Sequence, residues 1–306
     1  MKNEVKLFVN HTKMIRTKKP LLKDIICWWS GGITSAVACN LAIELFGKDR
    51  CRVVMIDTHN EYEDTHRFKI DCEKWYGIPI ESISRIGKDY QCIQDVWRRF
   101  NSLNVATGAI CSSELKREVR IKFQNENKYT HQIFGFDIDE PKRAKSMTLN
   151  YPNSNGIYPL LLHGMSKTMC IDYIQNVGIE IPVAYKLNFH NNNCLQTGCV
   201  QGGIGYWQKI RREFPEKFEA MASIEHELTN SAKKPVTMNK DQSKVAKESG
   251  IFQVFLLPHP DYPNHKSLAD MKDVPVKPLF DCNGFGCAIN DLEPPNKTAL
   301  EINFDT

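Results

Sequence analysis

The segment Ser30-Gly31-Gly32-Ile33-Thr34-Ser35 puts two glycines among three hydroxyl side chains. Glycine lets backbone N–H groups approach an anion with no Cβ in the way, and Ser and Thr hydroxyls add donors. Where such a turn joins a strand to a helix, the unpaired N–H groups of the helix start and the helix dipole converge on one point, which suits phosphate. The pattern is neither G-x-G-x-x-G nor a Walker A loop, since no Lys follows. By itself it also fits an ordinary tight turn.

Cysteine is the second chemical resource, at eleven residues. Cys27, Cys39, Cys51, Cys72, Cys92 and Cys170 stand singly within apolar or amphipathic runs, where a free thiol packs as a small hydrophobe. Cys111, Cys194, Cys199, Cys282 and Cys287 lie instead in Gly-, Asn- or Ser-rich segments. Cys194 with Cys199, and Cys282 with Cys287, form two C-x4-C pairs that together could close one four-thiolate metal site, for a [4Fe-4S] cluster or Zn2+. Four free thiols are the alternative. Cys111 opens a helix-like segment carrying Lys116 and Arg117, surroundings that lower a thiol pKa and favour nucleophilic catalysis. It equally fits a further ligand or a buried cap.

The elements that must position these residues follow from periodicity. Asp24 to Trp29 and Cys51 to Asp57 read as buried strands, Ile80 to Ile86 as a weaker one and His131 to Phe136 as a fourth. Helical patterns fall at Ser35 to Phe46, Asp64 to Tyr76, Glu114 to Gln124 and Ser166 to Val177, the first two closed by Gly47 and Gly77. Strands alternating with helices predict an α/β fold, a doubly wound, mostly parallel sheet. Past Pro182 the rhythm breaks. Tyr206 to Leu228 reads as helix interrupted at Pro215, which should start a second segment or kink the first. Thr229 to Gly250 and His259 to Pro278 read as connectors. The division expected is a basic extension over 1–20, a nucleotide-binding domain over 21–185 and a smaller, helical and loop-rich cysteine-bearing region over 186–306.

The 306 residues carry a net charge of +4 and 42% hydrophobic residues, which exclude disordered and collagenous classes. That charge is too small to be a nucleic-acid footprint without a local patch. Six basic residues precede Pro20, but the Leu7-Phe8-Val9 run is too short for a signal peptide. No apolar stretch approaches the roughly 18 residues of a membrane helix. A cytoplasmic protein with reduced thiols is expected.

Several motifs in order resemble the PP-loop ATP pyrophosphatase superfamily, in its phosphoadenosine phosphosulfate (PAPS) reductase branch. They are Trp29 to Ser35, Ile56-Asp57-Thr58-His59-Asn60-Glu61, Cys111 to Lys116, Gly135-Phe136-Asp137 with Glu140 and Arg143, and Tyr158-Pro159-Leu160 before Lys167. His190 to Cys194 and Gly205-Tyr206-Trp207 through Phe214-Pro215 extend the match over roughly residues 24 to 228. The resemblance implies an adenine nucleotide alpha-hydrolase-like fold. It implies that Ser30, Gly31, Gly32, Thr34 and Ser35 hold the pyrophosphate of ATP or the phosphosulfate of PAPS, and that Asp57, Thr58 and His59 line the adenosine pocket. Lys116 and Arg143 would be the cations at phosphate; otherwise each is a solvated charge on a helix face. Mg2+ is expected with ATP, although Thr34 stands where ATP-cleaving members carry Asp. The C-terminal Cys-Gly-Leu-His of true PAPS reductases is replaced by Cys282-Asn283-Gly284-Phe285-Gly286-Cys287, and serines follow Cys111 where a second cysteine would mark a cluster-bearing reductase.

The activity these features imply is adenylation of an acceptor with release of pyrophosphate, followed by sulfur transfer from a sulfur donor protein. The acceptor is a nucleic acid or a small molecule. Trp207, Lys209, Arg211 and Arg212 form an aromatic and basic cluster that could meet phosphate, or a solvated helix face with its Trp turned inward. Thiol-dependent reduction of PAPS or adenylyl sulfate, and a nucleotide-binding module without turnover, are the other readings.

Overall fold

The computed structural model describes residues 23–277 apart from 106, 107 and 193. Its N-terminal half alternates β1 (Ile25–Trp28), α1 (Ile33–Phe46), β2 (Cys51–Ile56), α2 (Glu63–Tyr76) and β3 (Ile80–Ile83). Helix α3 (Ile93–Phe100) and a two-stranded ribbon of β4 (Asn104–Val105) and β5 (Gly108–Ala109) follow. Next come α4 (Ile110–Ser112), a widened π-helical turn over Ser113–Arg117, α5 (Glu118–Glu126), β6 (His131–Ile133), α6 (Pro141–Asn150) and β7 (Gly156–Ile157). The strands form one parallel sheet in the order β3-β2-β1-β6-β7.

Side-chain alternation explains why this sheet needs two covers. Ile25, Cys27 and Trp29 enter one core with α1 and α2, whereas Ile26 and Trp28 enter another with Phe123, Ala144 and Met147 of α5 and α6. A strand with both faces buried reads as a continuous apolar run, which IICW is. Helix α1 is buried on nearly every side, because α7 (Pro159–His163) and α8 (Lys167–Asn176) pack over it. Each fully buried aliphatic chain there contributes about 1.5–3 kcal/mol. Five of the six cysteines expected in the core are buried, and Cys92 is half-buried as the cap of α3.

The later elements are α9 (Val183–Lys186), α10 (Ile204–Glu213), α11 (Pro215–Ala232), β8 (Asn239–Lys240), α12 (Lys244–Ser249), β9 (Gln253–Phe255) and β10 (Lys266–Ser267). Pro215 starts a second helix, as its missing N–H requires. The expected connectors contain more structure than their composition implied. Helix α11 continues to Ala232, Ser243 caps α12, Gly250 closes it in the left-handed region, and β8, β9 and β10 form a small sheet. The strands and α12 are too short for a periodicity to emerge from a polar background, and the flanking residues Val236, Met238, Leu256 and Leu268 enter a core shared with α3, α10 and α11. No helix among the described residues is long and apolar enough to cross a membrane.

Candidate functional site

Strand order reverses at β1, whose chain leads through α1 to β2 on one side while β6 pairs on the other. Ligands of open α/β sheets bind in the crevice at such a switch, outside the carboxyl ends of the strands. The Ser30–Ser35 turn sits at that end of β1, and Gly135-Phe136-Asp137 follows β6 beside it. A Cβ at Gly135 would lie 2.6 Å from Ser35 Cα, so only glycine lets the two segments touch.

The turn is built from its own hydroxyls. Ser30 donates its N–H to Ser35 Oγ at 3.0 Å and its hydroxyl to the same oxygen at 3.0 Å, while Ser35 donates to the Gly32 carbonyl at 2.8 Å. Gly31 takes φ +83°, a conformation that favours glycine. Gly32 caps α1 without a side-chain bond. Ile33 N–H donates to the Tyr185 hydroxyl at 3.3 Å, so an oxygen stands where the helix start directs its N–H groups. Thr34 is buried in the first turn of α1.

Asn192 buttresses the turn, donating its amide to the Gly31 carbonyl and to Thr65 Oγ1, each at 3.0 Å. Its own Oδ1 is buried without a partner. Lys167 holds the neighbouring segment through the His190 carbonyl at 2.9 Å and Asn191 Oδ1 at 3.0 Å. The backbone N–H of Val183 donates to Asp64 at 2.7 Å, fixing α9 and thereby Tyr185.

Beyond β2, the Glu61 carboxylate accepts the Thr58 hydroxyl at 2.8 Å, the Thr58 N–H at 3.2 Å and the Asn60 N–H at 3.0 Å. Asp57 accepts the N–H of His59, whose φ is +52°. Thr58 is buried and His59 exposed. Burial raises the Glu61 carboxyl above the ordinary carboxylate range against the opposing pull of Lys116. Lys116 is itself buried, which excludes the solvated-charge reading for it. The widened turn over Ser113–Arg117 presents it inward, with Glu118 N–H bonding back to the Ser113 carbonyl. Arg85 at 3.0 Å and Tyr90 at 2.9 Å hold Glu114 at the same turn.

Cys194 and Cys199 are both buried and hydrogen-bonded thiol to thiol. The Cys199 bond lowers the Cys194 thiol against the cost of burial, and Lys116 lowers it further. The same bond and burial push Cys199 well up. Cys194 adopts φ +55°, and the Tyr206 hydroxyl accepts the Cys199 N–H at 3.0 Å. Cys111, half-buried, lies close enough to Cys199 to influence its charge. Arg143 stands on the β6 side, paired with Glu140 and set 4.7 Å over the Phe136 ring.

The fold therefore brings Cys111, Lys116, Cys194 and Cys199 together against the loop after β2, with the Ser30 turn next to it. Cys282 and Cys287 lie outside the described residues. Two thiols are half of a tetrahedral set, and among the described residues no group of three or more His, Cys, Asp or Glu is arranged to hold a metal ion. Glu61, Thr65, Tyr185 and Asn192 were not singled out as site residues. Asn192 and Glu61 lie inside motifs that carry the resemblance, whereas nothing local marks Thr65 or Tyr185. The aromatic and basic cluster divides: Trp207 is fully buried under Gly198, and Lys209 and Arg211 lie over Phe189 and Phe218.

The model of the phosphoadenosine phosphosulfate reductase domain matches residues 24–201, more than half of the chain. The chain belongs to that family. Membership agrees with the PP-loop, PAPS reductase-like branch that the motif order implies. An uncharacterized protein of Methanocaldococcus jannaschii is 27% identical over 216 residues, 68% of this chain and 42% of that protein. The chain thus spans less than half of that relative's length. Among solved structures, a PAPS reductase from Candida auris in a phosphate complex is similar at 14% identity and TM-score 0.43, covering 61% of this chain and 90% of that one. The NMN synthetase of Francisella tularensis is similar at 16% identity and TM-score 0.37, over 58% and 71%.

Proposed function

We propose that this family member binds ATP through Ser30, Gly31, Gly32 and Ser35, activates an acceptor oxygen as its adenylate, and then exchanges that oxygen for sulfur. The acceptor oxygen attacks the α-phosphorus and pyrophosphate leaves, its charge met by the N–H groups of the turn. A sulfur donor protein supplies Cys194 with a persulfide. The terminal sulfur bonds to the acceptor carbon as AMP departs with the oxygen; the Cys199 thiol then attacks Cys194 Sγ, its proton passing to the acceptor thiolate that is released, and leaves a disulfide that a dithiol reductant reopens.

One observation carries this reading: the Cys194–Cys199 pair packs beside Lys116 and the Asp57–Glu61 loop, two residues after the Asn192 that braces the Ser30 turn. A nucleotide turn and a sulfur nucleophile thus share one end of the sheet. Mg2+ would accompany the pyrophosphate. A metal at Cys194, Cys199, Cys282 and Cys287 is the competing use of the same thiols.

The second reading is reductive attack of a thiolate on the sulfonyl group of PAPS, favoured by the lowered Cys194 thiol. The test is incubation of anaerobic full-length protein with ATP, Mg2+ and total small RNA, and separately with PAPS and dithiothreitol. Pyrophosphate in the first arm supports adenylation. Sulfite in the second, without pyrophosphate in the first, replaces it with reduction.

A further inference from the structure

The backbone of Cys194 is out of keeping with its residue type. At φ +55° it lies in the left-handed region, which suits glycine and asparagine and crowds other side chains. Such a conformation persists only where the surroundings over-determine it. Here they act on the next peptide unit. The Leu195 carbonyl accepts the Lys217 ammonium at 2.9 Å, and the Gln196 N–H donates to the Asn60 carbonyl at 3.2 Å, so both ends of one peptide group are held. The Cys194 carbonyl accepts the Gly198 N–H at 2.9 Å, which closes the turn.

Lys217 stands where helix physics alone would not put a cation. It lies in the first turn of α11, an end that the helix dipole already makes positive. Its ammonium sits 4.5 Å over the Tyr62 ring and 5.1 Å over the Phe214 ring, and those two rings meet edge to face at 5.9 Å. Burial lowers its pKa below the ordinary lysine range, against the pull of Glu63. The ring faces and the Leu195 carbonyl offset that cost of burial. Because Tyr62 follows Glu61, one cation joins α11, the loop after β2 and the Cys194 turn.

We propose that Lys217 is a positioning residue for Cys194, clamping the Leu195 carbonyl and so keeping the left-handed backbone that turns the thiol toward Cys199 and Lys116. Without the clamp Cys194 relaxes to negative φ, its Cβ swings, and the thiol leaves both neighbours. The proposal rests on Cys194 as the reactive thiol of the proposed sulfur transfer. Its test is read at that thiol with no substrate present.

The test compares the full-length wild type with K217M and K217R by the pH profile of Cys194 alkylation with a small haloacetamide, followed by peptide mass. The midpoint decides, since a more exposed thiol changes only the plateau rate. K217M should raise the midpoint enough to slow alkylation at neutral pH, relative to its own plateau, about threefold or more. K217R keeps a cation that can reach the carbonyl and the rings, and should restore the midpoint. Tyr62→Leu, which removes one ring face and leaves the lysine, should shift it the same way by less and gives a reading even where K217M does not fold. Profiles taken at about 0.1 M and about 1 M salt separate the causes, because a shift due to lost charge alone shrinks with screening and one due to lost position persists. The proposal is overturned by an unmoved K217M midpoint, by a shift that disappears at the higher salt, or by a K217R midpoint as high as that of K217M. A wild-type Cys194 that titrates no lower than an ordinary thiol overturns the reading of Cys194 as nucleophile, and the clamp with it.

Discussion

At the scale of single residues, Cys194 is the group whose chemistry depends most on its neighbours. Its thiol accepts from Cys199 and feels the Lys116 ammonium, and both favour the thiolate that burial disfavours. Cys199→Ala removes the larger contribution and should raise the Cys194 pKa; Lys116→Met should raise it by less. The pH profile of alkylation by a small haloacetamide, followed at Cys194 by peptide mass, measures both shifts. Profiles that stayed in place would show that the thiol pair and the buried lysine do not act on Cys194. Lys116 illustrates a limit of reading residues in line. Its sequence neighbours Glu114, Arg117 and Glu118 suggest a charged, solvated face, and only the extra residue in the π-helical turn brings it inside.

At the scale of elements, the Ser30 turn works because β1, α1 and β6 meet there. Gly135→Ala would drive a methyl group into the α1 backbone at Ser35, with contacts at 2.6–2.9 Å. Overpacking of this kind costs about 1–3 kcal/mol. The variant should lose several degrees in Tm by differential scanning calorimetry and bind ATP more weakly, since the N–H groups of the turn move with the helix. Retained stability and affinity would mean that β6 does not set the position of the turn.

This part of the fold was legible because the strands are unbroken apolar runs and the helices end at glycines, so period and punctuation agree. The Ser30 turn was legible because its chemistry is local. The supports from Thr65 and Tyr185 were not, because they come from 30 or more positions away along the chain and their residue types are ordinary. The small β8-β9-β10 sheet was missed for the related reason that two- and three-residue strands carry no periodicity.

At the scale of the whole molecule, Glu225 joins the later elements. Fully buried on α11, it accepts the Met238 N–H at 2.8 Å and the Leu256 N–H at 2.7 Å, tying the chain before β8 and the chain after β9 to one carboxyl group. Burial raises its pKa to about 8 despite those bonds. A carboxyl whose folded pKa lies above its unfolded value binds its proton more tightly when folded. Stability from this group is therefore fully present below about pH 4.5 and declines as pH rises towards 8. Between those limits the loss is on the order of a few kcal/mol. Glu225→Gln, which cannot ionise, should flatten this decline in urea denaturation series run from pH 5 to pH 8. An unchanged slope would mean that Glu225 does not titrate across this range. The same scale holds the central claim, that the reversal of strand order at β1 creates a nucleotide crevice floored by the Ser30 turn. Calorimetric titration of ATP into the full chain and into the Ser30→Ala/Ser35→Ala variant tests it most directly. The account predicts saturable binding that weakens at least tenfold in the variant while its circular dichroism stays native; equal affinity in the two proteins would contradict it.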